Sequence, residues 1–130
     1  MGILAVILAA LAAYVFGAIW YMVMAKQWME AAGLKEGDIN RTNPVPYLIG
    51  AVAVILVAGM MRHIFFESNV AGVANGLKNG LGLGLFIATP WIATNYAFSG
   101  RPMKLTLVDG LYATIGCTLM GVVLGYFAAS

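Results

Sequence analysis

Cysteine and histidine are almost absent from this sequence. Cys117 is the only cysteine among 130 residues, which excludes an internal disulfide and any site built from several cysteines. His63 is the only histidine. A lone histidine can ligate the metal of a haem or a chlorophyll-type pigment, but no second ligand pattern accompanies it, and an interfacial histidine is the favoured interpretation. We therefore expect neither a metal nor a cofactor.

Charged residues are also scarce. Only 9% of the residues are charged and 62% are hydrophobic, whereas a soluble domain has about 25% charged and about 45–50% apolar residues. The seven basic residues are scattered and form no patch, which argues against nucleic-acid binding. The apolar excess must face something other than water, and a lipid bilayer is the simplest partner.

The charge-free stretches are long enough to cross a membrane as helices. They cover residues 1–25, 42–61, 79–100 and 110–130, and about 20 residues of helix span roughly 30 Å of hydrocarbon. These stretches are continuously apolar without alternation, which favours helices over barrel strands. The sequence predicts an all-α, integral membrane four-helix bundle with short loops, forming one transmembrane domain over residues 1–130. The predicted helices cover approximately residues 3–25, 44–66, 75–98 and 102–127.

The first and third predicted helices raise separate questions. The first could be a cleaved signal peptide, but it lacks a basic N-terminal region and its apolar run is long, so an uncleaved span is favoured. The third contains Pro90, which removes one backbone hydrogen bond and is predicted to kink the helix. Hydroxyls of Thr89 and Thr94 could satisfy the freed carbonyls. The kink is interpreted as a packing feature, with a hinge or cavity wall as the alternative.

Basic residues predict the orientation. The first and third loops share one side and hold five basic residues, against two in the second loop: Lys26, Lys35, Arg41, Arg101 and Lys104 against Arg62 and Lys78. The excess predicts that the first and third loops are cytoplasmic and that both termini lie on the non-cytoplasmic side of a bacterial-type inner (plasma) membrane. The glycosylation sequon Asn40-Arg41-Thr42 would then face the cytoplasm and is interpreted as chance. Lys78 is expected to extend toward the headgroups.

Small residues recur every four positions in three of the helices. The stripes are Ala5, Ala9, Ala13 and Gly17; Gly76, Gly80, Gly84 and Ala88; and Gly121 and Gly125, extended backward by Cys117, Thr114 and Gly110. Such stripes let another backbone approach closely, so they predict helix-packing faces. Packing within the chain and self-association between copies remain open alternatives.

Polar residues concentrate where the third helix ends and the fourth begins. Asp109 has apolar neighbours on both sides, and intramembrane carboxylates point at a partner or a water-filled cavity. Its expected partners are Arg101, Lys104 or Asn95, which is itself predicted to hydrogen-bond across to a neighbouring helix. With Tyr112, these residues form the candidate polar cluster. A structural cluster that fixes two helices is favoured over a proton or cation site.

The segment TNYAFSGRP, residues 94–102, resembles a motif of domain-of-unknown-function family 1761. Trp20-Tyr21, Lys26-Gln27-Trp28-Met29 and the late MGVVLG segment at residues 120–125 extend the resemblance over nearly the whole chain. The resemblance implies a small four-helix membrane protein and supplies no activity or catalytic residue. Some members place a histidine after the tyrosine of the last helix, whereas Ala113 follows Tyr112 here, which weakens the idea of a metal at this corner.

No catalytic signature accompanies the spans. The sequence contains no G-x-S-x-G, HExxH, P-loop or dinucleotide motif. We therefore expect no enzyme but an oligomeric or accessory subunit of a membrane complex. The alternative is a small transporter or channel that uses the polar corner around Asn95 and Asp109. A lipid-modifying enzyme near Arg101 is a weaker hypothesis, because no nucleophile–base pair is present.

Overall fold

The computed structural model describes residues 2–35 and 43–128, and every regular element in these two ranges is helical. In chain order the elements are α1 (Gly2–Val23), α2 (Ala25–Ala32), α3 (Val45–Glu67), α4 (Val73–Leu83), a π-helical segment (Gly84–Ala88), α5 (Thr89–Phe98) and α6 (Met103–Ala128). The predicted all-α class is confirmed. The sequon Asn40-Arg41-Thr42 lies outside the described residues.

Within these two ranges, four helical stretches are long and apolar enough to cross a membrane, as predicted. They are Gly2–Val23, Val45–Glu67, Val73–Phe98 and Met103–Ala128, and we call them the first to fourth spans. The third span consists of α4, the π-helical segment and α5. Four such spans in one chain indicate a multi-pass membrane protein.

Helix α2 occupies part of the first loop, where no helix was expected. It is short and two-sided: Ala31 is buried, Trp28 and Met29 are half-buried, and Lys26 and Glu30 are exposed. The helix ends because Gly33 adopts the left-handed conformation, with φ of 73°. An eight-residue helix of this kind is too short to cross the bilayer, and its two-sidedness suits the membrane boundary.

Helix α6 is the centre of the fold. In the most apolar part of each span, the share of buried residues is 44% for α6, 28% for α1, 22% for α3 and only 6% for the third span. α6 contacts α1 on one side and the third span on the other, while α3 packs mainly on α1. Alanines dominate the shared core of α1, α3 and α6, which contains Ala5, Ala9, Ala10, Ala13, Ala58, Met61, Phe65, Cys117, Met120 and Leu124. Because these alanines are small, the helix axes can approach closely.

The glycines of the third span lie against α6. A Cβ atom built on any of five glycines would fall within 3.0 Å of a main-chain atom across the contact: Gly76, Gly80, Gly84, Gly121 and Gly125. The contact is antiparallel, since Gly76 lies by Gly121 and Gly84 by Thr114. The main-chain N–H of Gly72 also donates to the carbonyl of Gly125 at 2.9 Å. Both glycine stripes therefore meet each other within one chain.

The helical ladder changes register next to Pro90. The N–H of Thr89 donates to the carbonyl of Gly84, five residues back, so the preceding turn is π-helical. A π turn accommodates one extra residue, and it lies where Pro90 lacks a donor and crowds the carbonyl four residues before it. Hydroxyls add two bonds: Thr89 donates to Gly84 at 2.8 Å, and Thr94 to the Pro90 carbonyl at 2.9 Å. A kink at Pro90 stays a prediction.

Candidate functional site

Asp109 lies six residues into α6 and is only 9% exposed. Its Oδ1 accepts a hydrogen bond from the hydroxyl of Tyr21 at 2.5 Å, and its Oδ2 accepts one from the hydroxyl of Tyr96. Tyr21 and Tyr96 each lie two residues before the end of their helix, α1 and α5 respectively. One carboxyl group thus joins the first, third and fourth spans. We call these three side chains the Asp109 cluster.

Aromatic rings cover the Asp109 cluster on the side of α1. Tyr112 meets the edge of Tyr21, with ring centroids 5.3 Å apart, and stacks on Phe16 at 6.2 Å. A Cβ atom on Gly17 would lie 2.7 Å from the Tyr112 ring, so the glycine provides the space that this ring fills. The Trp20 indole N–H donates to the carbonyl of Val108 at 3.1 Å. The rings shield the carboxyl group from water, which strengthens its hydrogen bonds.

The cations expected beside Asp109 lie elsewhere. Within residues 2–35 and 43–128, Lys104 forms its ion pair with Glu30 of α2, at 3.2 Å and with both side chains about half exposed. Arg101 is exposed, and its main-chain N–H donates to the carbonyl of Tyr96 at 2.8 Å. The expected ion pair is replaced by two phenols, because these hydroxyls reach the buried carboxyl group and α2 brings Glu30 to Lys104.

Asn95 is also separate from the cluster, contrary to the prediction. Its side chain is exposed, and its main-chain carbonyl accepts the Ser99 hydroxyl at 2.9 Å. Consecutive residues of a helix point about 100° apart, so Asn95 faces outward when Tyr96 faces α6. Of the predicted polar residues, the structure brings Asp109 and Tyr112 together and leaves Asn95 and Arg101 outside.

Sequence reasoning missed the two tyrosines that bind Asp109. A signal was available, because successive membrane helices run in opposite directions. The ends of the first and third spans and the start of the fourth therefore share one membrane face. Tyr21 and Tyr96 lie two residues before those ends and Asp109 six residues after that start, so all three lie within two helical turns of this face. Depth matching would have indicated both residues, although not their rotation toward α6.

A second polar contact lies one to two turns deeper between the third span and α6. The Thr89 hydroxyl is 2.8 Å from the carbonyl of Gly84, 3.1 Å from that of Gly110 and 2.9 Å from the hydroxyl of Thr114. Because one hydroxyl has one proton to donate and two lone pairs, it can donate to one carbonyl and accept from Thr114. The contact satisfies polar groups that lipid cannot satisfy.

The arrangement of the Asp109 cluster is suited to a structural role, in which it holds three spans together. Both carboxyl oxygens are engaged, and bonds of this kind to a charged group are about twice as strong as neutral ones. Within the described residues, no three His, Cys, Asp or Glu side chains lie together as metal ligands. His63 and Lys78 are exposed, His63 near the end of α3 and Lys78 on α4.

A family model matches most of this chain. The family model described as "Protein of unknown function (DUF1761)" matches residues 4–125. No curated protein matches the chain, and no solved structure matches it.

Proposed function

This chain belongs to DUF1761, a family described as being of unknown function, and we propose from its geometry that it is a non-enzymatic subunit of a membrane assembly. The other members of the assembly are further copies of the chain or a different membrane protein. We further propose that it resides in a bacterial-type inner membrane with both termini outside the cytoplasm, since basic residues are concentrated in the first and third loops.

The observation that carries the proposal is the engagement of both Asp109 oxygens. Tyr21 and Tyr96 come from two different spans, so the cluster fixes the positions of three spans at one membrane face. A carboxyl group held in this way is suited to positioning helices. A reaction site would instead need a group directed at a space where a substrate can lie.

The outer surface supports the same proposal. The glycine and alanine stripes are covered by neighbouring spans of the same chain, so contacts with other chains must use the outward faces. The third span has most of its side chains outward, including Phe86 at 74%, Trp91 at 66% and Phe98 at 90% exposure. This surface is available to lipid and to a partner chain alike.

One observation favours a second candidate, a small proton-linked transporter. Asp109 is buried and bonded to neutral phenols, with no cation of the described residues in ion-pair contact. Intramembrane carboxyl groups mark proton and ion pathways in transporters.

Native mass spectrometry from membranes in mild detergent, combined with proton flux into liposomes, separates the two candidates. An assembly heavier than one chain and no proton flux are expected of the wild-type protein if it is a subunit. Asparagine can still accept one tyrosine hydroxyl but cannot take up a proton. A wild-type chain that runs alone as a monomer would refute the proposal. Proton flux abolished by Asp109→Asn in a folded protein would establish the transporter instead.

A further inference from the structure

Two amides on the outward side of α4 have unused hydrogen-bonding groups. Asn75 and Asn79 are exposed and lie one turn apart. Each donates one N–H to the main-chain carbonyl four residues before it, Asn75 to Ala71 at 3.0 Å and Asn79 to Asn75 at 2.8 Å. An amide side chain carries two N–H donors and an acceptor oxygen. Within the described chain, one N–H and the Oδ1 of each amide therefore have no partner.

The amides share their side of the helix with an uncovered glycine. At 3.6 residues per turn, Asn75, Asn79 and Gly82 lie roughly 130° around α4 from the glycines that face α6. A Cβ atom built on Gly82 would have no heavy atom within 4 Å. We call these three residues the amide stripe. It combines polar groups that need partners with a position where a backbone can approach.

The amide stripe reaches into the hydrocarbon layer. The third span has 26 residues, which corresponds to about 39 Å of helix against about 30 Å of hydrocarbon. Asn79 is six residues from the start of the span, or about 9 Å along the axis. In a centred span Asn79 lies several ångströms inside the apolar layer, where lipid tails offer no hydrogen bond.

We propose that a second copy of this chain docks on the amide stripe. The two Asn79 side chains pair reciprocally across a two-fold axis along the membrane normal, each donating its remaining N–H to the Oδ1 of the other. Gly82 lies one turn further into the membrane and lets the two third spans approach. The proposal rests on the proposed function as an assembly subunit and names its contact surface and partner.

The chemistry of an amide is the reason for choosing a second copy. A two-fold axis places each residue opposite itself, and an amide is self-complementary because it both donates and accepts. Insertion in one orientation makes the axis parallel to the membrane normal and the two third spans parallel. Lys78 is exposed beside the stripe, and its long side chain can extend to the headgroups, away from its counterpart.

Disulfide crosslinking in native membranes tests the contact directly. The Gly82→Cys variant keeps the amides, and the native Cys117 is buried, so wild-type protein serves as the blank. On oxidation we expect a crosslinked dimer, because a disulfide forms when the two Cα atoms are within about 7 Å. Leu81→Cys is the matched control, since Leu81 is 40% exposed on another side of α4. Equal crosslinking of both variants, or none with Gly82→Cys, would overturn the proposed contact.

Asn79→Leu tests the amide itself. Leucine suits lipid and leaves the α6 contact untouched, so the monomer should fold normally. Losing two interhelical hydrogen bonds should raise the dimer dissociation constant about tenfold to a hundredfold. The constant is measured by native mass spectrometry over a dilution series. Leu81→Ala should leave the constant unchanged, and Asn79→Leu should lower the Gly82→Cys crosslinking yield.

The outcomes separate this inference from the function on which it rests. An assembly that keeps its mass and stability with Asn79→Leu would overturn the amide stripe and leave the assembly proposal standing. A wild-type chain that associates only with different proteins would do the same. A wild-type monomer without any partner would overturn both.

Discussion

Substituting Gly80 by alanine should destabilise the chain, although alanine is the better helix former. A Cβ atom on Gly80 would meet the carbonyl oxygen of Cys117 and lie 3.1 Å from the Cα of Gly121. These are main-chain atoms of α6, so no side-chain rotation relieves the overlap. To restore an ordinary contact of at least 3.4 Å, α4 and α6 would have to separate by roughly 1 Å at this level.

The magnitude follows from two opposing terms. Overpacking a tight contact costs about 1–3 kcal/mol, and the upper half of that range applies because the opposing atoms are backbone. The gain in helix propensity from glycine to alanine is about 1 kcal/mol. We expect Gly80→Ala to lower the free energy of unfolding by about 1–2 kcal/mol.

Gly82→Ala is the matched control in the same helix. It meets no atom within 4 Å and should be neutral or stabilising by up to about 1 kcal/mol. Gly59→Ala on α3, which also meets no atom within 4 Å, is a control outside the amide stripe. The assay is reversible unfolding in mixed micelles, at a dilution that keeps the chain monomeric. If Gly80→Ala were as stable as Gly82→Ala, the close α4–α6 contact would be refuted.

Three further predictions concern the polar contacts and the loop before α6. Tyr96→Phe should lower the free energy of unfolding by about 1.5–3 kcal/mol, the range for a hydrogen bond to a charged group. A double-mutant cycle with Asp109→Asn should show coupling between the two residues, and additive effects would contradict the hydrogen bond. Thr89→Val should cost about 1 kcal/mol while Thr89→Ser stays close to wild type, as measured by the same unfolding assay. Gly100→Ala should cost about 1 kcal/mol because Gly100 has φ of 73°; an unchanged Tm would count against that backbone conformation.

The candidate site was partly predictable from the sequence. Asp109 was identified because a carboxyl group among apolar residues of a span requires a partner. The partners were predicted wrongly, since the nearest cations in sequence were preferred to tyrosines on other spans. Lys104 instead binds Glu30, because α2 brings that carboxylate near the start of α6. The helical character of this segment was not evident from eight residues.

The sequence by itself determined that the chain is helical, how many spans it has and approximately where they begin and end. Long apolar stretches without charge have one compatible backbone form in lipid, because every main-chain polar group must be satisfied within the segment. The glycine and alanine spacing likewise showed which faces could pack closely. These conclusions depend on local composition and on the uniform solvent around the spans.

Only the tertiary structure decided which faces meet. Apolar residues surround α1, α3 and α6 on all sides, so no amphipathic pattern defines how these helices are rotated about their axes. The glycines could have met another copy, but they pair Gly76 with Gly121 inside one chain. Rotation also turns Tyr96 toward Asp109 and Asn95 away from it. The hydrogen bonds that join three spans at Asp109 therefore depend on how each helix is rotated and how deep each residue lies in the membrane. Both are set by contacts between residues far apart in the sequence.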